Sequence, residues 1–346
     1  MEFWIKVVSN SSNNSADGTL FRHFSQDYTV DMSERYVTVT QFSIIGTIGI
    51  VINILPTIIT AAGFVKRNVV NFMIANLSIT EFTLCTSFVF GQSFFVLWRE
   101  YLPAAGCHFL SFLHFVAAFG SFMFLPILAI NRYIHLYYRE RYQAIYTTGR
   151  TALMMISCWI FCAIIPSIFL IMGKTGFDND NDHCCMVVQG DMAWTIAYWM
   201  IIIVPLIVFC DGTMLFCNYK IYLKLIKHSS DTQMIQSVVA KNKELLYFLL
   251  VDMIFPICFH SVYHICKFAM VHRTSDFLRR FFISLYLINS ALRGAITIGM
   301  LRPYRRGVKL LFYRVTCKKE TTVGVIGNDV SNAVTTSRVT RNNWVS

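Results

Sequence analysis

The chain has 346 residues, of which 14% are charged and 55% hydrophobic, with a formal net charge of +11. A soluble domain is normally about a quarter charged. Together with a mean hydropathy of +0.52, this excludes an ordinary soluble enzyme and points to a chain that lies largely in lipid. A helix needs about 20 apolar residues to cross the hydrocarbon core. Runs of that length, bounded by charges, fall at roughly 40–65, 69–97, 105–137, 152–173, 192–218, 245–270 and 281–301. Their short connections predict an all-α membrane protein, a single bundle of seven transmembrane helices. The two halves share no sequence repeat, which argues against a transporter built by duplication. Three regions are expected: an extracellular N-terminal tail over 1–39, a seven-transmembrane domain over 40–301, and an amphipathic helix with a cytosolic tail over 302–346.

The basic residues set the orientation. Lys66 and Arg67 follow the first span, Arg139, Arg141 and Arg150 the third, Lys224, Lys227, Lys241 and Lys243 the fifth, and Arg302, Arg305, Arg306, Lys309 and Arg314 the seventh. The loop after the fourth span is acidic, with Asp178, Asp180 and Asp182; the loop after the sixth is the exception, with Arg273, Arg279 and Arg280. The majority places the N-terminus outside and the C-terminus in the cytosol of a multi-pass plasma-membrane protein. The positive charge is then a topology signal beside anionic headgroups, and no nucleic acid is expected as a partner. Sequons at Asn10 and Asn13, in a polar stretch, are candidate glycosylation sites on the outer side. Asn76-Leu77-Ser78 matches the same motif but lies inside a span. Met1–Asn10 lacks a basic region followed by an apolar core, so the first span is expected to direct insertion.

Most of the 11 cysteines stand singly in spans, where a small buried hydrophobe is the expected role. No metal site and no cofactor are expected. Cys107, just before the third span, and the Cys184-Cys185 pair in the acidic loop face the oxidising side, so a disulfide of Cys107 with Cys185 (or Cys184) is expected. Cys317, beside basic residues past the last span, is a palmitoylation candidate. From Pro303 onward, Tyr304, Val308, Leu311 and Phe312 alternate with basic residues at helical spacing, predicting a short amphipathic eighth helix on the inner membrane surface.

Cys107 precedes Arg132 of the Asn131-Arg132-Tyr133 triplet by 25 positions. With Asn53, the segment Asn76–Glu81, Trp159, Pro205 and Pro256, each on its own span, this pattern resembles the rhodopsin-like (class A) G-protein-coupled receptors. Within them the second cytosolic loop, from Asn131 to Thr148, is similar to that of melatonin receptors, which also carry Asn-Arg-Tyr. The resemblance implies a receptor that passes an extracellular signal to a heterotrimeric G protein through Asn131, Arg132 and Tyr133, with arrestin as a further partner. Such receptors are not enzymes, and no catalytic residues are expected. A weaker resting hold on Arg132 is also expected, because Asn131 carries no charge.

Relatives hold sodium mid-membrane with an Asp of the second span and nearby polar groups. The matching residues here are Glu81, Ser121, Asn289 and Ser290, and the usual Asn-Pro-x-x-Tyr signature reads Arg293-Gly294-Ala295-Ile296-Thr297. At 1.5 Å per residue Arg293 stands about 12 Å inside the cytosolic end of its span, where an unpaired charge is costly. The packing that the resemblance implies puts Arg293 close to Glu81, so a buried Glu81–Arg293 ion pair is expected, with Asp252 of the sixth span as the rival partner. Ile254 stands where relatives have a Trp switch, and Thr213 where they have a Tyr.

The ligand pocket implied by the resemblance comprises His114, Phe115, Ala118, Gln189, Ile201, Ile257 and Ser261. His114 replaces the Asp that binds amines, so the unknown extracellular ligand, a small molecule or peptide, is not a typical amine. Leu287 replaces the Lys that a retinal protein needs. The alternatives are an ion channel or transporter using Glu81, Asp252 and Arg293 as a polar path, or a non-signalling seven-helix protein.

Overall fold

The computed structural model describes residues 32–66, 68–94, 104–172, 175–178, 183–186, 199–228, 247–248, 250–251, 254–262 and 276–316. Asn10, Asn13, Asp252, Gln189 and Cys317 lie outside them. The helices are α1 (Met32–Ala61), α2 (Val69–Phe88), α3 (Ala104–Tyr137), α4 (Arg139–Ile145), α5 (Thr148–Ile171), α6 (Val204–His228), α7 (Asp276–Met300) and α8 (Arg302–Thr316). Among the described residues, α1, α2, α3, α5, α6 and α7 are long and apolar enough to cross a membrane. With the span at 245–270, whose described residues are helical, they make a bundle of seven.

Local signals fix the helix ends. Asn68 caps α2 by accepting from the amide of Asn71 at 2.9 Å, and Thr147 caps α5 by accepting from Arg150 N at 3.3 Å. Gly63, with φ of 77°, turns the chain after α1 in a conformation that only glycine adopts cheaply. A short antiparallel hairpin, Thr175–Asp178 with His183–Met186, lies in the loop after α5 and packs against α3. An all-helical reading of this acidic loop did not anticipate those strands. Their four paired residues satisfy backbone groups that an open loop would leave to water.

Two helix boundaries differ from the expected spans. α1 begins at Met32, inside the segment expected as tail, and α6 continues to His228, well past the expected end near 218. Apolar length marks the hydrocarbon core, whereas a helix continues into water as long as its backbone bonds are cheap to propagate. Three segments wind as π-helix: Val89–Phe94 continuing α2, Trp199–Ile203 leading into α6, and Pro256–Ser261.

The core runs along α2 and α3, and α5 and α6 turn large apolar side chains outward: Leu153, Ile160 and Ile171 on α5, Val208, Phe209 and Phe216 on α6. Such faces suit lipid. The buried faces approach closely. A Cβ at Gly294 would stand 2.7 Å from the carbonyl oxygen of Ile52 and 2.8 Å from Asn53 Oδ1. α8 is pinned by Tyr304, fully buried, whose hydroxyl lies 3.2 Å from Thr60 Oγ1 and donates to the carbonyl of Asn71 at 3.5 Å. Burial pushes this phenol up to about 12, so it stays neutral.

Gly294→Val is expected to force α7 from α1, because the nearest atom it meets is a backbone carbonyl oxygen, at a cost of about 1–3 kcal/mol. Gly212, with open space around a would-be Cβ, supplies the control: Gly212→Ala should leave the melting temperature of the detergent-solubilised protein unchanged or slightly raised. Equal melting temperatures for wild type and Gly294→Val would contradict the close packing.

Candidate functional site: an ion pair in the middle of the bundle

Glu81 lies on the face of α2 that also buries Leu77, Leu84 and Cys85, and none of its surface is exposed. An isolated carboxylate cannot remain charged there, since transfer to a low-dielectric interior costs many kcal/mol. α7 supplies the counter-charge. Arg293 Nη1 donates to Glu81 Oε1 in a direct ion pair. Ser121 Oγ of α3 donates to the same oxygen at 2.6 Å, and Ser290 Oγ of α7 donates to Glu81 Oε2 at 2.5 Å. Arg293 Nη1 also reaches Ser121 Oγ at 2.8 Å. Three helices therefore meet on one carboxylate, and both of its oxygens are satisfied.

The surroundings hold these groups in place. Gly120, beside Ser121, lets α3 approach α2; a Cβ there would lie 2.8 Å from Thr80 Cγ2. Asn53 of α1 donates to the carbonyls of Gly49 and Ser290 at 2.9 and 3.0 Å. Cys85 Sγ lies 3.5 Å from Ser290 Oγ. Asn289, expected with this cluster, is buried on α7, but no bond joins its Oδ1 to the carboxylate or to any other described group. The sequon-like Asn76 has a packing role, for Trp159 Nε1 of α5 donates to its Oδ1 at 3.1 Å.

Nearer the C-terminal end of α3, Asn131 is fully buried and donates from Nδ2 to the hydroxyl of Tyr142 at 3.2 Å. Among the described residues no hydrogen bond links Asn131 to Arg132, the residue on which only a weak hold was expected, and Arg132 Nε has no hydrogen-bond partner. Asn131 instead fastens α4, where Tyr142 and Tyr146 lie 5.1 Å apart. Burial, reinforced by Tyr142, pushes the Tyr146 phenol up to about 12. Tyr133 stacks on Tyr137 with ring centroids 4.6 Å apart.

In the half of the bundle nearer the N-terminus of α3, His114 Nδ1 lies 3.2 Å from Ser87 Oγ, and its ring is 5.0 Å from Phe88 and 5.4 Å from Phe115. Ala118 is buried in the cluster of Phe42, Phe88 and Tyr286. Ile257 is half-buried and Ser261 ends the last π-helical segment. Ile201 is 72% exposed and faces outward. The π-helical stretch before Pro205 explains this, because a count at 3.6 residues per turn loses phase where the winding changes. Cys107 is disulfide-bonded, and the strand carrying Cys184 and Cys185 lies against α3. Sequence reading did not single out Asp211, a buried acid of α6; a charged residue in an apolar run was the available signal.

The family model described as 7 transmembrane receptor (rhodopsin family) matches residues 52–293, which include both ends of the ion pair. The chain is also similar to G-protein coupled receptor 84 of Bos taurus, with 26% identity over 141 residues, 40% of this chain and 35% of that protein. The chain thus spans about a third of the length of the curated relative it matches.

Removing either partner of the pair strands a buried charge, which typically costs about 3–5 kcal/mol. Glu81→Gln and Arg293→Gln should each lower surface expression severely. The exchange of Glu81→Arg with Arg293→Glu should recover part of it, measured by surface labelling of tagged receptor. No recovery beyond the single variants would count against the pair as a unit.

Proposed function

Because this chain belongs to the rhodopsin family of seven-transmembrane receptors, we propose that it binds an extracellular ligand and signals to a heterotrimeric G protein from the cytosolic ends of its helices. The observation that carries this reading is the Asn131-Arg132-Tyr133 triplet at the end of α3, with a guanidinium that residue 131 does not hold. A guanidinium presents a planar fork of donors suited to carbonyl and carboxylate groups of an incoming partner. The likeness to the bovine G-protein coupled receptor 84 supports the same activity, and the similarity of the second cytosolic loop to melatonin receptors supports a similar coupling surface.

The N-terminus is outside and the C-terminus in the cytosol, at the plasma membrane, with Asn10 and Asn13 glycosylated and Cys317 palmitoylated. Cys107 pairs with Cys185, tying the β-hairpin over the outer end of α3. The ligand meets His114 and Phe115 of α3, with Ala118 one turn further along the same helix. That ligand is a small molecule or peptide without the fixed cation of an amine. Arrestin is the expected terminating partner. Mid-membrane, Arg293 provides internally the cation that relatives take from solution as sodium, so the resting state needs no bound ion.

A ligand screen read through a promiscuous G protein tests the proposal. A response should appear in wild type and be lost in Arg132→Ala at equal surface expression, and ligand-evoked ion current without G protein would support a channel instead. Asn131→Asp should lower basal signalling by adding a carboxylate beside Arg132. Replacing sodium with N-methylglucamine should leave the melting temperature of the purified protein unchanged. A sodium-dependent rise would contradict the internal cation.

A further inference from the structure

The cytosolic ends of α3 and α6 are joined by contacts that the family landmarks do not include. The last turn of α3 leaves carbonyls without an intrahelical donor. One of them, the carbonyl of Leu136, accepts from Lys224 Nζ of α6 at 2.7 Å. A cation there also meets the negative end of the helix dipole. The arrangement is reciprocal, since Tyr137 donates its hydroxyl to the carbonyl of Lys220 at 2.8 Å. Lys224 Nζ further stands 4.3 Å from the Tyr137 ring centroid, within cation–π range. Behind this pair, the ring of Tyr133 lies 6.1 Å from that of Phe216.

We propose that Tyr137 and Lys224 form a latch that closes the cytosolic ends of α3 and α6 at rest, and that its opening admits the cytosolic partner. The inference rests on the receptor reading for the identity of that partner. Its chemistry suits a reversible closure. Each bond joins a side chain to a backbone carbonyl at the cytosolic edge of the bundle, where water can replace it, and bonds of that kind contribute little net free energy apiece. The Glu81–Arg293 pair is the opposite case, since lipid and packed side chains offer no substitute partner. The two helices can therefore part at this end while the middle of the bundle holds. Leu136 is one turn from Arg132, so parting them widens the space beside that guanidinium. Thr213, where relatives carry a Tyr, is half-buried on α6; the aromatic hydroxyl spanning these helices comes from α3 instead.

The test uses Tyr137→Phe, which removes only the hydroxyl, and Lys224→Met, which keeps the length and loses the charge. Basal nucleotide exchange on a promiscuous G protein, per receptor at the surface, should rise about three- to tenfold in each. The double variant should fall short of the product of the two, because both open one closure, and Lys224→Arg should behave as wild type. Independently of any G protein, spin labels attached through unnatural amino acids at Arg139 and Tyr222 should give longer, broader distances in both variants in lipid nanodiscs. Unchanged exchange in the variants, with a basal signal still abolished by Arg132→Ala, overturns the latch. Absence of any Arg132-dependent signal overturns the receptor reading instead. The distances then decide the latch, and an unchanged distribution overturns it.

Discussion

A charge inside a lipid-spanning bundle constrains everything packed around it. Glu81 is fully buried and Arg293 is 2% exposed, so neither has water to fall back on, and each makes the other tolerable. Desolvating two charges costs several kcal/mol per ion, recovered only when geometry is good and the remaining lone pairs are satisfied. Here the two serines meet that condition by filling both carboxylate oxygens. The consequence is positional. α2 and α7 cannot slide, rotate or part without exposing a charge to hydrocarbon, and α3 is drawn in through Ser121.

The neighbouring contacts extend this fixed region. Gly294 lets α7 lie against the backbone of α1, Asn53 bonds the carbonyl of Ser290, and Trp159 ties α5 to α2 through Asn76. α8 adds Tyr304 against Thr60 and Asn71. These contacts lie at least partly out of solvent and tie α1, α2, α7 and α8 to one another. α7 contains no proline, and its unbroken backbone bonds remove a bending point. The contacts between α3 and α6 are of another kind: a tilted aromatic contact, a cation over a ring, and side chains bonded to carbonyls at the ends of the helices. Rigidity in one half of the bundle and exchangeable bonds in the other are what a signalling membrane protein needs to move one end without unfolding.

Parts of the site were readable residue by residue. Glu81 and Arg293 declared themselves because ionisable residues in apolar runs are rare and demand partners, and their spans had to be neighbours. Ser121 and Ser290 could be named as candidates from the same placement. Asn289 matched equally well yet sits outside the bonded set, since one residue along a helix turns a side chain by about 100°. Ile201 failed through the π-helical winding before Pro205, and Tyr142, which bonds Asn131, was not foreseen because it comes from a separate short helix. Lys224 and Tyr137 read as ordinary interfacial residues, for their acceptors are backbone carbonyls, which every sequence carries at every position.

The sequence by itself determined the solvent, the number of crossings and that Arg293 needs a buried acidic partner. Apolar length, flanking charge and the cost of burying a charge are properties of residues and do not depend on a particular packing. Tertiary structure decided which hydroxyls complete the carboxylate, which way Ile201 faces, what Asn131 grips and how α3 meets α6. Those outcomes turn on helix phase, close approach at Gly120 and Gly294, and carbonyls left over at a helix end. They exist only once the helices stand beside one another.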